Sequence, residues 1–128
     1  MPETSNDEND EAVSVRLDAS SPISVFTVSV DGANAGRAEF IDVPDADSER
    51  IFFHTEVDAA YAGRGLGGIL VREALLDSIR KNLTVVPVCP LFARYLKQHG
   101  DEFLADGGAF RMPGRPDIAL VARAIRDR

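Results

Sequence analysis

The residues that most clearly indicate a binding site are four glycines within residues 63–68, a stretch that reads Gly-Arg-Gly-Leu-Gly-Gly. They stand between a predicted strand and a predicted helix, so that backbone N–H groups can converge while the helix N-terminus adds partial positive charge. Such a turn suits a phosphate or pyrophosphate, and a flexible turn is the alternative interpretation. A dinucleotide site is disfavoured because the next strand ends in Cys89-Pro90 rather than an acidic residue, and no Gly-Lys-Ser/Thr of a P-loop follows.

Two titratable residues, His54 and Glu56, precede this turn on a predicted strand over residues 50–57. A period of two places Phe52 on the same face as both of them, and places on the other face Ile51, Phe53, Thr55 and Val57. A histidine and a glutamate about 7 Å apart on one strand face, close to an anion site, can supply a general base. A solvated sheet face that carries both residues is the alternative.

The chain has one cysteine, Cys89, at the C-terminal end of a predicted strand over residues 83–88. In a parallel βαβ unit, Cys89 is expected beside residues 57–59, at the sheet end that faces the glycine turn and collects ligands. A thiol there can act as a nucleophile or as a thiol donor. A small buried hydrophobic residue is the alternative, and it is the commoner role of a free cysteine.

The elements that must position these residues begin as strands and end as helices. Alternation of apolar residues predicts four strands, at residues 12–17, 23–30, 36–43 and 50–57. Asp31-Gly32 predicts a hairpin turn after the second of them. The later elements are predicted as a helix over 65–83, a strand over 83–88, a helix over 92–99 ended by Gly100, a loop over 106–116, and a helix (or a strand) over 118–125 capped by Asp117. This order predicts an α+β domain whose mixed sheet is an antiparallel meander followed by one βαβ unit.

Length and composition predict a single domain, because 128 residues with 45% hydrophobic content can bury one core. The net charge is −7, but five uncompensated acidic residues lie in residues 1–11 and the rest carries only −2. We interpret residues 1–11 as an acidic disordered leader, 12–105 as the domain, and 106–128 as its C-terminal loop and short helix. The absence of basic-aromatic stripes, targeting segments and long apolar runs predicts a cytoplasmic protein without nucleic-acid or membrane partners.

Taken in order, three segments resemble the small, single-domain branch of the GNAT acyl-CoA N-acetyltransferase superfamily, and the resemblance covers roughly residues 32–103. These segments are His54-Thr55-Glu56-Val57, then Tyr61-Ala62-Gly63-Arg64-Gly65-Leu66-Gly67, then Val86-Pro87-Val88-Cys89-Pro90 with Tyr95. The resemblance implies that acetyl-CoA is held, mainly through backbone groups and the helix end, by Val57, Gly63, Arg64, Gly65, Leu66, Gly67 and Gly68. It also implies that Tyr95 is the general acid beside the thioester sulfur. The turn departs from the superfamily pattern at Ala62, where arginine or glutamine is usual.

These observations predict an acetyl-CoA-dependent acyltransferase that acts on an amine of unknown identity. His54 or Glu56 is expected to take a proton from the amine, and backbone N–H near Val57 to polarise the thioester carbonyl. In a second form of this mechanism, Cys89 is a covalent acyl carrier. The alternatives are a non-catalytic module that binds or senses acyl-CoA, and a protein-interaction domain without a ligand. The expected partners are acyl-CoA and the acceptor, with no metal, and the chain is expected to be a monomer or a homodimer.

Overall fold

A computed structural model describes residues 12–43 and 48–128 in full and the backbone of residues 3–6. The strands are β1 (Glu3–Asn6), β2 (Ala12–Asp18), β3 (Ser24–Val30), β4 (Ala33–Val43), β5 (Glu49–Val57), β6 (Thr84–Pro87) and β7 (Ala109–Phe110). The helices are α1 (Leu66–Arg80), α2 (Pro90–Ala105) and α3 (Arg115–Arg126), and a short 3₁₀ turn covers Ala59–Tyr61.

The strands form one mixed sheet in which the spatial order follows the order along the chain. β1 to β5 pair antiparallel, each with the next, and β6 then pairs parallel to β5 and β7 parallel to β6. The predicted hairpin forms because Asp31 and Gly32 both adopt positive φ angles, of 49° and 86°. The α+β class and the predicted order, a meander followed by a βαβ unit, are confirmed.

Helices α1 and α2 cover one face of the sheet and enclose the main core. Phe26, Phe40 and Phe52 form a run of aromatic contacts across neighbouring strands, and Phe92 of α2 stacks on Phe52 with ring centroids 4.2 Å apart. Helix α3 packs on the other face, where Val121 joins a smaller cluster on β5 and β6. The stack of Phe92 on Phe52 fixes the start of α2, and therefore Cys89, against β5.

A β-bulge on β5 changes which side chains share a face. Glu39 of β4 pairs with His54 and Phe40 pairs with Phe52, so Phe53 is an extra residue in the ladder. The predicted strict alternation over residues 50–57 is therefore wrong: Phe52 and Val57 both pack with the main core, although alternation places them on opposite faces, and Phe53 packs with the smaller cluster on the other side.

The second half of the chain departs from the prediction in three places. Helix α2 continues beyond Gly100, with a kink at His99, because the missing Cβ of Gly100 makes room for the ring of Phe110. That phenylalanine lies in β7, a two-residue strand inside the predicted loop. Helix α3 begins at Arg115 with Gly114 as its N-cap, and Asp117 caps it from within by accepting a hydrogen bond from the Gly114 N–H at 2.7 Å.

Part of the predicted leader belongs to the sheet. Glu3–Asn6 pairs with β2, so the prediction of disorder is wrong for these four residues, because the outer edge of β2 offers unpaired backbone groups. The other leader residues, 1–2 and 7–11, lie outside the described residues. Among the described helices, none is long and apolar enough to cross a membrane.

Candidate active site

The glycine turn ends in an uncapped helix N-terminus. Gly63 and Gly65 have φ angles of +80° and +77°, a conformation that glycine adopts without strain, and Gly65 is the N-cap of α1. Within the described part of the chain, no side chain caps this end and the first turn has no acidic residue. Because Ile69 N–H already donates to the Gly65 carbonyl, the free donors of the turn are Leu66, Gly67 and Gly68. Three free amides and a helix dipole form a suitable anion site.

Strand β5 extends beyond its partner β6 and leaves one edge of residues 54–57 open. The ladder between β5 and β6 ends at Phe52 and Pro87, and the last backbone bond runs from Cys89 N–H to the Phe52 carbonyl at 2.8 Å. A tight turn, in which Val88 N–H donates to the Val86 carbonyl, then directs the chain away from β5. We call this unpaired edge of residues 54–57 the open edge; it leads towards the glycine turn.

The open edge presents the backbone N–H of Val57. The next amide, that of Asp58, donates to the Ala35 carbonyl of β4 at 2.8 Å, and successive amides of a strand point to opposite edges. The position of Gly36 agrees, because a Cβ built there would lie 2.6 Å from the Glu56 carbonyl oxygen, which therefore faces β4. Val57 N–H thus points to the side from which β6 has departed, as a donor for a ligand carbonyl requires.

Cys89 lies at the inner end of the open edge, on the core face of the sheet. Its side chain is buried, and its Sγ and the Oγ1 of Thr55 share a hydrogen bond at 3.2 Å. The sequence prediction placed Cys89 beside residues 57–59; it lies instead beside Phe52 and Thr55, because β6 has only four residues. Cys89 therefore lies close to the C-terminal half of β5, as predicted, but not at its last residues.

His54 and Glu56 share the opposite face, as predicted, but without Phe52. His54 Nε2 lies 3.4 Å from Glu56 Oε1, and both side chains are about half exposed. Arg37 on β4 contacts the other oxygen of Glu56 at 3.0 Å. A cavity of about 230 Å³ adjoins this group and is lined by Thr27, Asn34, Gly36, Arg37, Glu56 and Asp58. The face is polar and open to solvent, so an acceptor can approach the open edge from this side.

Tyr95 lies on the side of α2 that faces α1. Its ring is 4.7 Å from the ring of His99, and it packs against the same core as Cys89. It also lines a cavity of about 170 Å³ between the two helices, and Cys89, His54 and Glu56 do not line that cavity. Because aromatic side chains on helices lean towards the helix N-terminus, the hydroxyl is expected to extend towards the Cys89 end of α2.

Two residues of this arrangement were missed by sequence reasoning. Thr55 was assigned to the face away from the chemistry, because a β-bulge has no signal in a period-two pattern. Arg37 cannot be identified from local sequence, because its approach to Glu56 depends on the cross-strand register of β4 and β5. The remaining cofactor-binding prediction, Arg64, lies in the turn with its guanidinium 5.2 Å from the centre of the Tyr61 ring.

A family model described as GCN5-related N-acetyl-transferase matches residues 25–106, more than half of the chain. No curated protein matches the sequence. Among solved structures, the chain is similar to a ribosomal-protein-alanine N-acetyltransferase from Brucella melitensis biovar Abortus 2308, with 14% identity, a TM-score of 0.49, and coverage of 81% of this chain and 62% of that one. It is also similar to AAC(6')-Iy in complex with the bisubstrate analog CoA-S-monomethyl-acetylneamine, with 18% identity, a TM-score of 0.47, and coverage of 75% and 67%.

Proposed function

The chain belongs to the GCN5-related N-acetyltransferase family, and from this premise we propose that it transfers an acetyl group from acetyl-CoA to an amine. The observation that carries the proposal is the open edge of β5. It begins at the partly buried Thr55–Cys89 pair, presents the Val57 N–H, and leads to the uncapped first turn of α1. A long ligand with a thioester at one end and a pyrophosphate further along fits this sequence of groups.

The backbone holds the donor substrate. The N–H groups of Leu66, Gly67 and Gly68 bind the pyrophosphate, and the positive φ angles of Gly63 and Gly65 aim the turn at it. The pantetheine arm lies along the open edge in the place of a neighbouring strand, with its amides paired to β5. Val57 N–H donates to the thioester carbonyl and stabilises the negative charge that develops on its oxygen.

The acceptor amine approaches from the polar face that carries His54 and Glu56. His54 takes a proton from the amine as the nitrogen attacks the thioester carbon, and Glu56 orients the imidazole. Arg37 holds Glu56 in place through its second oxygen. The C–N bond forms, the C–S bond breaks, and Tyr95 donates a proton to the departing thiolate of CoA. This division leaves His54 as the base and Glu56 as a positioning residue.

A second route uses Cys89 as an acyl carrier. The Cys89 sulfur attacks the thioester, its proton passes to the CoA sulfur, and the amine then takes the acetyl group and restores the thiol. The placement of Sγ at the inner end of the open edge supports this route. Acetyl-CoA alone should then add about 42 Da, the mass of an acetyl group replacing hydrogen, to the folded protein faster than to a denatured control.

Calorimetric titration with acetyl-CoA, combined with thiol-release measurements over a panel of amines, tests the proposal. We expect affinity on the order of micromolar and release of CoA that depends on the amine. Binding without amine-dependent release would support a non-catalytic acyl-CoA-binding module instead. No heat at millimolar acetyl-CoA would contradict the proposed function. Cys89→Ala separates the two routes: retained transfer supports direct attack, and lost transfer in a variant that still binds CoA supports the carrier.

A further inference from the structure

Glu39 of β4 is a buried carboxylate next to the proposed base. It pairs across the strands with His54, so the two side chains share the polar face of the sheet. Glu39 is only 8% exposed, and a carboxylate this far from water needs a cation beside it. Arg37 approaches one of its oxygens to 3.9 Å, and Arg128, just beyond the end of α3, donates a hydrogen bond to the other. A site built for a cation therefore lies beside His54.

Of the two cations, Arg128 is the one that a ligand can replace. Arg37 also bonds to Glu56 at 3.0 Å, and it lies at the limit of ion-pair distance from Glu39. Arg128 is 49% exposed, and an ion pair with such a partner adds little net stability, because water solvates the free guanidinium well. The guanidinium can therefore leave Glu39 at small cost, provided that another cation takes its place.

Two cavities follow one another along β4 on the polar face. The cavity of about 230 Å³ described above is lined by Arg37 and Glu56. Glu39 lines a second cavity, of about 360 Å³, together with Arg128 and the residues that lead into β3. Carboxylates outnumber guanidinium groups in the two linings: Glu39, Glu56, Asp58 and Asp127 against Arg37 and Arg128. The face therefore favours an elongated cationic molecule, and the second cavity leaves room for the displaced Arg128.

We propose that the acceptor carries a second cationic group, as a diamine does, and that Glu39 binds this group in place of Arg128. The inference rests on the proposed function, because it names the acceptor class of the same reaction. His54 lies level with Glu39, and Val57, the proposed donor to the thioester carbonyl, is about 10 Å further along β5. A hydrogen bond of about 3 Å at the carboxylate leaves roughly 7 Å between the two nitrogen atoms. An extended five-carbon diamine has about this span.

The test compares 1,5-diaminopentane with hexylamine, which has a methyl group in place of the second ammonium, as acceptors for the full chain. Release of CoA from acetyl-CoA gives kcat/KM for each. The wild-type value should be at least about tenfold higher for the diamine. Glu39→Gln should remove this preference by raising the KM for the diamine. Arg128→Gln frees Glu39 from its competing cation and should widen the preference several-fold; because Arg128 is half exposed, this variant keeps the fold even if Glu39→Gln does not.

The matched control is Arg126→Gln, which removes the same charge two residues earlier, from an exposed position that faces another direction. It should keep the wild-type preference. Equal kcat/KM for the two amines, a preference that survives Glu39→Gln, or an unchanged preference in Arg128→Gln would overturn the inference and leave the proposed function standing. So would acetylation of other amines but of neither of these two. If no amine releases CoA, the proposed function is wrong and the inference with it.

Discussion

At the scale of single residues, Gly67 tests the anion site most cleanly. It lies inside the first turn of α1 with an ordinary helical φ, and an added Cβ would meet Leu91 at 3.4 Å, close to normal contact. Gly67→Glu places a carboxylate at the helix N-terminus, where it favours the helix but repels a phosphate. We expect CoA affinity to fall at least about tenfold, an electrostatic cost of about 1.4 kcal/mol, with no loss of thermal stability.

Gly67→Ala is the control for this change, because it adds the Cβ without the charge and should bind CoA nearly as the wild type does. Equal affinity of the glutamate variant and the wild type would mean that the turn is only structural. Gly65→Val, the more obvious choice, is less informative: a β-branched residue at φ of +77° strains the backbone, so it is expected to lower stability as well as binding.

The division of labour between His54 and Glu56 gives a second prediction. His54→Gln removes the proposed base and should lower kcat about 100-fold, with the KM for acetyl-CoA unchanged. Glu56→Gln keeps a hydrogen-bonding group beside the imidazole and should lower kcat less. Single-turnover rates with saturating acetyl-CoA measure both effects. If Glu56→Gln is the more damaging change, the glutamate is the base and the roles are reversed.

Tyr95→Phe provides an independent test of the proposed acid. Removing the hydroxyl should lower kcat about tenfold or more, because the thiolate then leaves without a positioned proton. The affinity for CoA should remain the same, since the ring that lines the cavity is retained. A loss of CoA affinity with unchanged kcat would mean that Tyr95 contacts the bound CoA and is not the acid.

At the scale of elements, the periodicity of apolar residues predicts where the strands and helices lie, but it predicts their lengths poorly. The four glycines, the helix that follows them and the strands of the meander could be identified because each rests on local spacing. The bulge at Phe53 and the short β6 could not, since both depend on pairing with another strand. Both matter to the site: the bulge directs Thr55 towards Cys89, and the short strand creates the open edge.

Gly100 is a second case in which a local signal predicts the end of an element wrongly. A glycine after eight helical residues is a reasonable end signal, but here its small size serves a contact with Phe110, which is distant in sequence. The helix ends instead after Ala105, and Gly107 adopts a φ of +97° beyond it. The local sequence therefore shows that Gly100 is an unusual residue for a helix, but it does not show that the contact with Phe110 is the reason for it.

Helix α3 is held by Asp117, whose buried carboxylate accepts hydrogen bonds from Arg111 and from the Gly114 N–H. These bonds outweigh the effect of burial and hold the pKa of Asp117 below its usual value of 3.8. A lowered pKa stabilises the fold above the unfolded-state value, and this stabilisation is lost as the pH falls through 3.8 towards the folded-state value. Asp117→Asn should therefore lower the free energy of unfolding by about 2 kcal/mol at pH 7.

Urea denaturation of wild type and Asp117→Asn at pH 7 and at pH 3 measures this effect. The difference in the free energy of unfolding between the two proteins should narrow at pH 3, because this pH lies below the unfolded-state pKa of 3.8 and the unfolded wild-type chain then gains a proton that the folded carboxylate resists. Asp127→Asn, at the exposed C-terminal end of the same helix, is the control and should cost nothing, since a negative charge is unfavourable there. A difference that stays constant with pH would show that the effect is not one of charge.

At the scale of the whole molecule, Arg50 connects the meander to the βαβ unit. Its side chain is 2% exposed, and it bonds to Asp42 of β4 at 2.6 Å and to Asp77 of α1 at 2.7 Å while lying over the ring of Phe40. Burial raises the pKa of Asp77, but the hydrogen bonds from Arg50 and Lys81 outweigh it and the pKa lies below its usual value. The same arginine thus holds α1, and with it the anion site, against the sheet.

Arg50→Met should lower the free energy of unfolding by about 3 kcal/mol, because it leaves the half-buried Asp77 without its main partner. Arg37→Met, on the neighbouring strand with a half-exposed side chain, should cost less than about 0.5 kcal/mol. Chemical denaturation of the two variants measures the contrast. Equal losses would mean that burial of the arginine has no special role, and that the two parts of the fold are joined by apolar packing alone.

Ligand binding should stabilise the molecule as a unit, because the proposed site is shared by the meander and the βαβ unit. A ligand that binds only the native state, at 100 times its dissociation constant, adds about 2.7 kcal/mol, which corresponds to a rise in Tm of several degrees for a chain of this size. Acetyl-CoA and CoA should both give this rise in thermal denaturation, and Gly67→Glu should show a much smaller one at the same ligand concentration. Arg126→Gln, remote from the site, should respond as the wild type does. If millimolar CoA leaves the wild-type Tm unchanged, the uncapped turn and the open edge do not form a CoA site.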